Sequence, residues 1–317
     1  MLKMLNKTHV IKNKIESQFT EKIKKILALS FLLLPALIIF TFFVIYPVIQ
    51  ALYYSAFKWN GLGGAPTNIV GFNNLIKLLN DPVFYTALRN NFIIIGFSLL
   101  FQLPSALLLA LIIGRKSFKG SIIFRAIFFL PFIFSEILTG VIWRFIYHQR
   151  YGLLQFIQSS LFPSEQYTDL LSSPDTVFIG ILIVLFWKYF GFHLIIYIAG
   201  LQSIPPELNE AATIDGASTF QVARYITIPL LMPSIKISVF LSIIGALQVF
   251  DIVWAMGRGD PVHAAETLVT YMYKFGFIRF KLGYGSTIAI VIFIICVVFN
   301  IIYQKKIMNR GIGSLSE

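Results

Sequence analysis

The sequence lacks most of what a disulfide framework or a nucleotide-hydrolysing site requires. It contains one cysteine, Cys296, which excludes a disulfide within the chain. No Gly-x-x-x-x-Gly-Lys-Ser/Thr run occurs, so the phosphate-binding loop of an ATPase is absent. Charged residues make up only 13% of the chain, whereas soluble proteins have about 25%. Water is therefore not the main solvent for this protein.

Metal and hydrolase chemistry also find no support in the sequence. The four histidines have no second ligand at helical spacing, so we predict no metal site. Neither a nucleophile elbow nor a catalytic pair of carboxylates is visible. We predict that the protein is not an enzyme and binds no cofactor of its own. The histidines are His9, His148, His193 and His263.

The apolar content determines the fold class. Apolar residues make up 57% of the 317 residues, and the mean hydropathy is +0.79. A helix that crosses the ~30 Å hydrocarbon layer needs about 20 mostly apolar residues, because each backbone N–H and C=O must be satisfied within the segment. We predict an all-α polytopic membrane protein with six transmembrane helices. They cover residues 26–46, 92–113, 122–147, 177–199, 231–254 and 284–303.

Basic flanks predict the orientation in the membrane. Lysines before the first apolar stretch favour a cytoplasmic N-terminus, and six crossings return the C-terminus to the same side. Residues 47–91 are then an outer loop, in which Asp81-Pro82 starts a new helix. This topology explains the net charge of +12 without a nucleic acid partner. The basic residues are Lys3, Lys7, Lys12, Lys14, Lys22, Lys24 and Lys25, then Arg115, Lys116, Lys119 and Arg125, and finally Lys305, Lys306 and Arg310.

The inner loop 200–230 carries dense signals for local structure. Pro205 and Pro206 suit the first turn of a helix, where the missing N–H has no partner to lose. Gly216 is placed to end that helix in a left-handed conformation. Ser218 and Gln221 form a capping-box pair that starts a second helix. The loop is predicted to form a helix, a glycine bend and a second helix on the cytoplasmic side.

The residues of this loop carry a resemblance to a known family. The loop contains the runs Glu210-Ala211-Ala212, Asp215-Gly216-Ala217 and Ile226-Thr227-Ile228-Pro229. These runs resemble the EAA motif of ABC importer permeases, with Ile228 where leucine is usual. In that family the loop is a coupling helix that docks on the ATP-binding subunit. The resemblance implies that the small side chains of Ala211 and Ala212 allow the partner subunit to approach closely. It also implies that Glu210 pairs with a basic residue of the partner and that Gly216 allows the bend.

Fragments over nearly the whole chain after residue 30 narrow the resemblance to permeases of the carbohydrate-uptake group. Their order and spacing carry the match, although the group often has a threonine followed by Gly-Gly-Pro where this chain has Arg258-Gly259-Asp260-Pro261. The fragments include Trp59-Asn60-Gly61, Val70-Gly71-Phe72-Asn73-Asn74, Phe124-Arg125, Leu130-Pro131, Phe250-Asp251, Glu266-Thr267 and Gly283-Tyr284-Gly285.

The resemblance implies an assembly and a domain organisation. The expected partners are two ATP-binding subunits that hold ATP and Mg²⁺, a second homologous permease, an extracytoplasmic solute-binding protein, membrane lipid and a small-molecule sugar. The chain is expected in the cell membrane as a multi-pass protein with both termini cytoplasmic. We divide it into a basic leader (1–25), a transmembrane permease domain (26–305) that includes the coupling loop (200–230), and a tail (306–317).

Ionisable and aromatic residues within the predicted spans are candidates for a substrate path. Charged groups inside a bilayer usually face a cavity or a partner. Glu136 and Lys188 have opposite charges at similar depth and are predicted to pair. The alternative is that Lys188 bridges to backbone carbonyls. Sugars are bound by aromatic faces and planar polar groups, which adds further candidates. The full set is Glu136, Trp187, Lys188, Tyr189, Gln248, Asp251 and Trp254.

Three alternatives stay open at this point. The importer could carry a non-sugar solute such as glycerol phosphate or a polyol. A secondary transporter working alone would show inverted repeats or proton-relay carboxylates. A membrane-embedded enzyme, such as a lipid-linked sugar transferase, would need clustered acidic or histidine residues at the interface, and no such cluster is visible in the sequence.

Overall fold

The computed structural model describes residues 21, 24–25, 29–114, 121–161 and 170–308, which form two compact units. The first unit ends at Tyr54. Its described part is one apolar helix, α1 (Leu29–Ser55), long enough to cross a membrane. A widened π-helical turn at Thr41–Ile45 interrupts its regular hydrogen bonding. The predicted end of this helix at residue 46 is too early, because the helix continues through Tyr46 and Pro47 to Ser55.

The second unit starts at Ser55 and is helical throughout its described part, apart from loops and one isolated bridge between Phe57 and Ile69. Its helices are α2 (Asn73–Leu79), α3 (Pro82–Ile113), α4 (Ser121–Ile133), α5 (Glu136–Ile146), α6 (Leu153–Leu161), α7 (Val177–Gln202), α8 (Pro206–Ile214), α9 (Thr219–Leu230), α10 (Met232–Gln248), α11 (Asp251–Gly257), α12 (Leu268–Tyr273) and α13 (Leu282–Met308).

Two predicted spans are broken in the structure. The stretch 122–147 is not one helix, because α4 and α5 meet at an angle of 97°. The stretch 231–254 is also divided, since α10 ends at Gln248 and a new helix, α11, starts at Asp251. The described residues contain four helices that could cross a membrane, or up to six if two bent pairs, α4 with α5 and α9 with α10, each form one span. Periodicity of apolar residues cannot detect such breaks, because the apolar run continues through them.

The loop that the sequence predicts on the outer side is shorter than the predicted range 47–91. It begins after Ser55 and ends at Asp81, because α3 starts at Pro82 rather than at residue 92. The predicted helix start is confirmed: the Asp81 carboxylate accepts a hydrogen bond from the Val83 N–H at 2.9 Å. The predicted basic residues at 115–119 and 310, and most of the leader and tail, lie outside the described residues.

Packing within the second unit places two surfaces at opposite ends of α3. Near its C-terminal end, Ala106 and Ala110 pack on Tyr197, Ile198 and Leu201, just before the chain enters α8. At its N-terminal end, Phe84 and Ala87 pack on α12 and α13. At 1.5 Å per residue, the 32-residue helix α3 separates these ends by roughly 45 Å. Loop α8–α9 and the segment 56–81 therefore lie at opposite ends of the unit.

Close packing of α4 on α7 depends on a glycine. A Cβ built on Gly191 would lie 1.7 Å from the carbonyl oxygen of Phe128, which no side chain tolerates. The absence of a side chain lets the backbone of α4 approach α7 directly. This contact brings the end of α4 over the polar residues of α7.

Candidate functional site

The break between α4 and α5 surrounds the ammonium group of Lys188. Because α4 ends at Ile133, the carbonyls of its last turn and that of Phe134 in the bend have no helical N–H partner. The Lys188 Nζ donates to the carbonyls of Pro131 at 3.2 Å, Phe132 at 3.1 Å, and Phe134. Only 2% of the Lys188 surface is exposed. The lysine thus satisfies carbonyls that the sharp bend leaves without a helical donor.

Glu136 does not pair with Lys188 as an ion pair among the described residues. It is the first residue of α5, after the N-cap Ser135, and its carboxylate accepts a 2.5 Å hydrogen bond from the Tyr189 hydroxyl. The alternative interpretation of Lys188, as a group that bridges to backbone carbonyls, matches the structure. Adjacent residues on a helix point in different directions, so Lys188 binds the bend and Tyr189 binds Glu136.

The Glu136–Tyr189 pair lines a cavity of about 330 Å³ inside the second unit. Its walls come from α3, the α4–α5 bend, α7 and α10. The rings of Phe132 and Phe192 stack there with centroids 4.5 Å apart. A hydroxyl pair, Ser242 to Ser98 at 2.7 Å, lies on the facing helices. The cavity combines aromatic faces with hydrogen-bonding groups, and its other polar lining residues are Gln102 and His193.

The remaining predicted path residues lie elsewhere. The Trp187 ring packs edge-on against Trp143 at 5.5 Å. Trp254 lies on α11, where it stacks on Phe250 at 5.5 Å. Asp251 begins α11, and Gln248 is an exposed residue at the end of α10. None of Trp187, Lys188, Gln248, Asp251 and Trp254 lines the described cavity, whereas Glu136 and Tyr189 do.

Reasoning from charged residues missed the uncharged polar wall of the cavity. Ser98 and Gln102 line the cavity, and Asn91 lies on the same face of α3 outside it. The three residues are buried and are separated by seven and four residues, the spacing of one helix face. Asn91 donates to the Ala246 carbonyl at 2.6 Å and accepts from the Leu268 N–H at 2.9 Å. A search for polar stripes within apolar runs would have found this face.

The predicted helix, bend and second helix around Gly216 are present. Pro206 begins α8 after the N-cap Pro205, and Gly216 has a φ of +84°. The Ala217 N–H donates back to the Ala212 carbonyl at 2.9 Å, which closes the end of α8 in a Schellman-type cap. The capping box of Ser218 and Gln221 starts α9. Local sequence signals therefore specify this element fully.

The element presents an unusual mixture of exposed groups. No residue of α8 is buried, and Glu210 and Asp215 are exposed. Ile214 is 85% exposed, Phe220 70% and Tyr225 69%. Ala211 is exposed and Ala212 half-buried, while Ile226 and Pro229 lie in α9. Exposed large apolar residues next to acidic ones are typical of a surface that a partner covers.

The opposite end of the unit is held by buried polar contacts. The Lys274 ammonium lies 2.7 Å from Glu266 and 3.2 Å from Asp260, and His263 contacts the same Glu266 carboxylate at 2.8 Å. The ligand-type atoms of Asp260, His263 and Glu266 lie within 4.8 Å of one another, so His263 does have possible co-ligands at a spacing of three residues, contrary to the prediction from the sequence. Because the Lys274 cation already occupies this group, it is not built for a metal ion. Nearby, burial raises the pKa of the Tyr271 hydroxyl, and the hydrogen bond to Asp81 raises it further.

An all-helical unit with membrane-length helices, broken spans and a polar internal cavity defines the class of polytopic α-helical membrane proteins. The chain matches the profile of the binding-protein-dependent transport system inner membrane component over residues 104–306. The chain belongs to this family. The predicted resemblance to ABC importer permeases of the carbohydrate-uptake group is thereby confirmed, as is a multi-pass membrane protein.

Individual relatives match over most of their length. The chain is 33% identical over 280 residues to the probable ABC transporter permease protein YurN of Bacillus subtilis, covering 88% of this chain and 95% of the relative. It is 32% identical over 273 residues to the arabinooligosaccharides transport system permease protein AraP of the same organism, covering 86% and 85%. A bacterial alginate ABC transporter, crystallised with an alginate pentasaccharide-bound periplasmic protein, contains a chain of similar fold. Its TM-score is 0.79 at 25% identity, covering 92% of this chain and 97% of that one.

Proposed function

We propose that this chain is the permease subunit of an ATP-driven importer that moves a carbohydrate by alternating access. The single observation that carries the proposal is the exposed α8–Gly216–α9 element, whose EAA-type residues lie on a surface with uncovered apolar side chains. ATP and Mg²⁺ belong to two partner subunits. A second permease, most simply a different chain, completes the path, and an external solute-binding protein delivers the sugar.

The mechanism follows from how α8 and α9 are connected to the bundle. α9 continues into α10 through a 65° bend, and α10 forms one wall of the cavity. α8 follows α7, which forms another wall. A partner that closes against α8 and α9 would push on two cavity walls at once. Such movement would change which side of the membrane the cavity faces. In this arrangement both termini lie on the cytoplasmic side.

The substrate class is supported by the cavity lining and by the relatives. Stacked aromatic rings and hydroxyl, amide and carboxylate groups suit a polyhydroxylated ligand. AraP is named for arabinooligosaccharides, and the alginate transporter was solved with an oligosaccharide-bound partner. We infer that this chain takes part in uptake of a carbohydrate, most simply an oligosaccharide.

Copurification tests the importer assignment. We expect a tagged chain, extracted in mild detergent from its native membrane, to carry an ATPase that hydrolyses ATP and a second permease. A variant with Ile214→Asp and Phe220→Asp should lose the ATPase, because charges replace the apolar contacts. The control is Phe72→Asp, which changes an 80% exposed ring at the opposite end. A complex without an ATPase would contradict the proposal and favour a transporter working alone.

Glu136→Gln tests the proposed path. The change keeps the side-chain volume but removes the charge that binds Tyr189, so we expect at least a tenfold loss of saccharide uptake in proteoliposomes of the assembled complex. ATPase association should be unchanged. The matched control is Trp187→Phe, which alters a ring outside the cavity and should keep uptake within about twofold of wild type. Normal uptake by Glu136→Gln would remove this cavity from the path.

A further inference from the structure

A second cavity is separate from the proposed path. It has a volume of about 840 Å³ and lies between the segment 58–77 and the start of α13. Three lysines, Lys58, Lys77 and Lys281, line it, and no carboxylate does. Its position at the N-terminal end of α3 puts it at the opposite end of the unit from α8 and Gly216.

The three lysines are free to bind an anion. All three side chains are exposed, and none forms an ion pair with any of the described residues. The Lys77 ammonium lies 5.5 Å from the centre of the Tyr284 ring, and that of Lys281 lies 5.8 Å from the centre of the Phe275 ring. Aromatic faces fix the direction of two ammonium groups without neutralising them. The cavity is therefore positively charged.

The walls of the cavity are held in place. The Asn74 side chain donates to the carbonyls of Ser55 at 2.8 Å and Phe57 at 2.9 Å. The Gly283 N–H donates to the Trp59 carbonyl at 3.0 Å, which ties the start of α13 to the outer segment. A positively charged site on a tied framework is preorganised, so a ligand does not have to order it on binding.

The surroundings favour a protein over a small anion. Exposed lysines attract a free anion only weakly in water, but several of them together speed the approach of a complementary macromolecule. Large apolar side chains are exposed at the same place: Leu62 is 62% exposed, and Phe280 58%. Apolar anchors beside charged groups are typical of a protein interface.

We propose that this cavity is the docking site for an acidic segment of the external solute-binding protein. The inference rests on the proposed function, because it requires such a partner and places the cavity on the outer face. Carboxylates of the partner would lie among Lys58, Lys77 and Lys281, and its apolar residues would cover Leu62 and Phe280. The site would thus set how fast the loaded partner docks, without touching the transported sugar.

Charge reversal at Lys58 and Lys281 tests the proposal. The assay is ATP hydrolysis by the full complex in nanodiscs, titrated with the soluble binding protein that stimulates the wild-type complex. We expect Lys58→Glu/Lys281→Glu to raise the half-saturating concentration roughly tenfold at low salt, with the maximal rate unchanged. Added salt should shrink the difference. Lys77 is left intact because it lies in the last turn of α2, where a cation stabilises the helix.

The control is Arg150→Glu, which reverses an exposed charge outside the cavity, after α5. The docking site would be overturned if Arg150→Glu raised the half-saturating concentration as much per reversed charge as the double variant does. It would also be overturned if the double variant left that concentration unchanged. A tetrasaccharide of galacturonic acid, given without the binding protein, should not bind to the complex in a Lys58-dependent way. If it does, the cavity takes a free anionic saccharide instead. Absence of any stimulation of the wild-type complex would overturn the proposed function and the docking site with it.

Discussion

Replacing Gly216 by valine is expected to abolish saccharide uptake while the protein still inserts into the membrane and binds its partners. Gly216 has a φ of +84°, a conformation that a β-branched residue adopts only with strain of about 1 to 3 kcal/mol. No atom lies within 4 Å of a Cβ placed there, so the effect would come from the backbone rather than from a clash. We expect ATP hydrolysis to continue without uptake.

Two matched variants separate backbone conformation from other causes. Gly216→Asn should keep most uptake, because asparagine tolerates the left-handed conformation better than other side chains. Gly64→Val places the same strain on another open glycine, with a φ of +93°, and should keep the ratio of uptake to ATP hydrolysis. This ratio is the readout because Gly64 lies in the segment 58–77 around the proposed docking cavity, where strain would change docking and so scale both rates together. Both ATP hydrolysis and uptake would be measured in proteoliposomes. Normal uptake by Gly216→Val would contradict a role for this bend in coupling.

Replacing Lys188 by leucine is expected to destabilise the whole second unit. Three backbone carbonyls at the α4–α5 bend would lose their donor in a buried place. The loss of charged hydrogen bonds to buried acceptors costs roughly 3 kcal/mol. We expect a much smaller folded fraction after heating in detergent, followed by size-exclusion chromatography.

Two control variants test whether the hydrogen bonds of Lys188, rather than the loss of any lysine, account for the effect. Lys188→Arg keeps several donors and should recover part of the stability. Lys236→Leu removes a half-buried lysine of α10 whose ammonium has no hydrogen bond among the described residues, so stability should change little. If Lys188→Leu were as stable as wild type, the lysine would not hold the bend.

Several features follow from local residues and were predictable. Asp81-Pro82 begins a helix because a carboxylate caps the free N–H groups and proline lacks one. The same reasoning gives α8, Gly216 and the capping box of α9. These signals act within a few residues, so neighbours in sequence suffice. Long apolar runs likewise identify membrane-spanning helices, although not their ends.

The breaks within the spans were not predictable in this way. A proline inside a membrane helix, such as Pro131 in α4, is compatible with a mild kink as well as with a 97° bend. The sharp bend is possible because Lys188, 57 residues further along the chain, supplies the missing donor. The predicted pairing of Glu136 with Lys188 is wrong for a similar reason. Rotation of α7 against α5 sets which side chain reaches the Glu136 carboxylate, and the structure places Tyr189 there.

The chain's residues alone determined that it belongs in a membrane, that it carries no ATPase loop, and that a helix-glycine-helix element projects from it. Apolar length, a missing motif and nearest-neighbour capping decide these properties without reference to distant parts of the chain. Tertiary structure alone decided which polar groups share the cavity of Glu136 and Tyr189. It also decided which lysines surround the proposed docking cavity. Residues such as Ser98 and Ser242 meet only after the helices have packed, because hydrogen bonds across a bundle depend on helix rotation and depth.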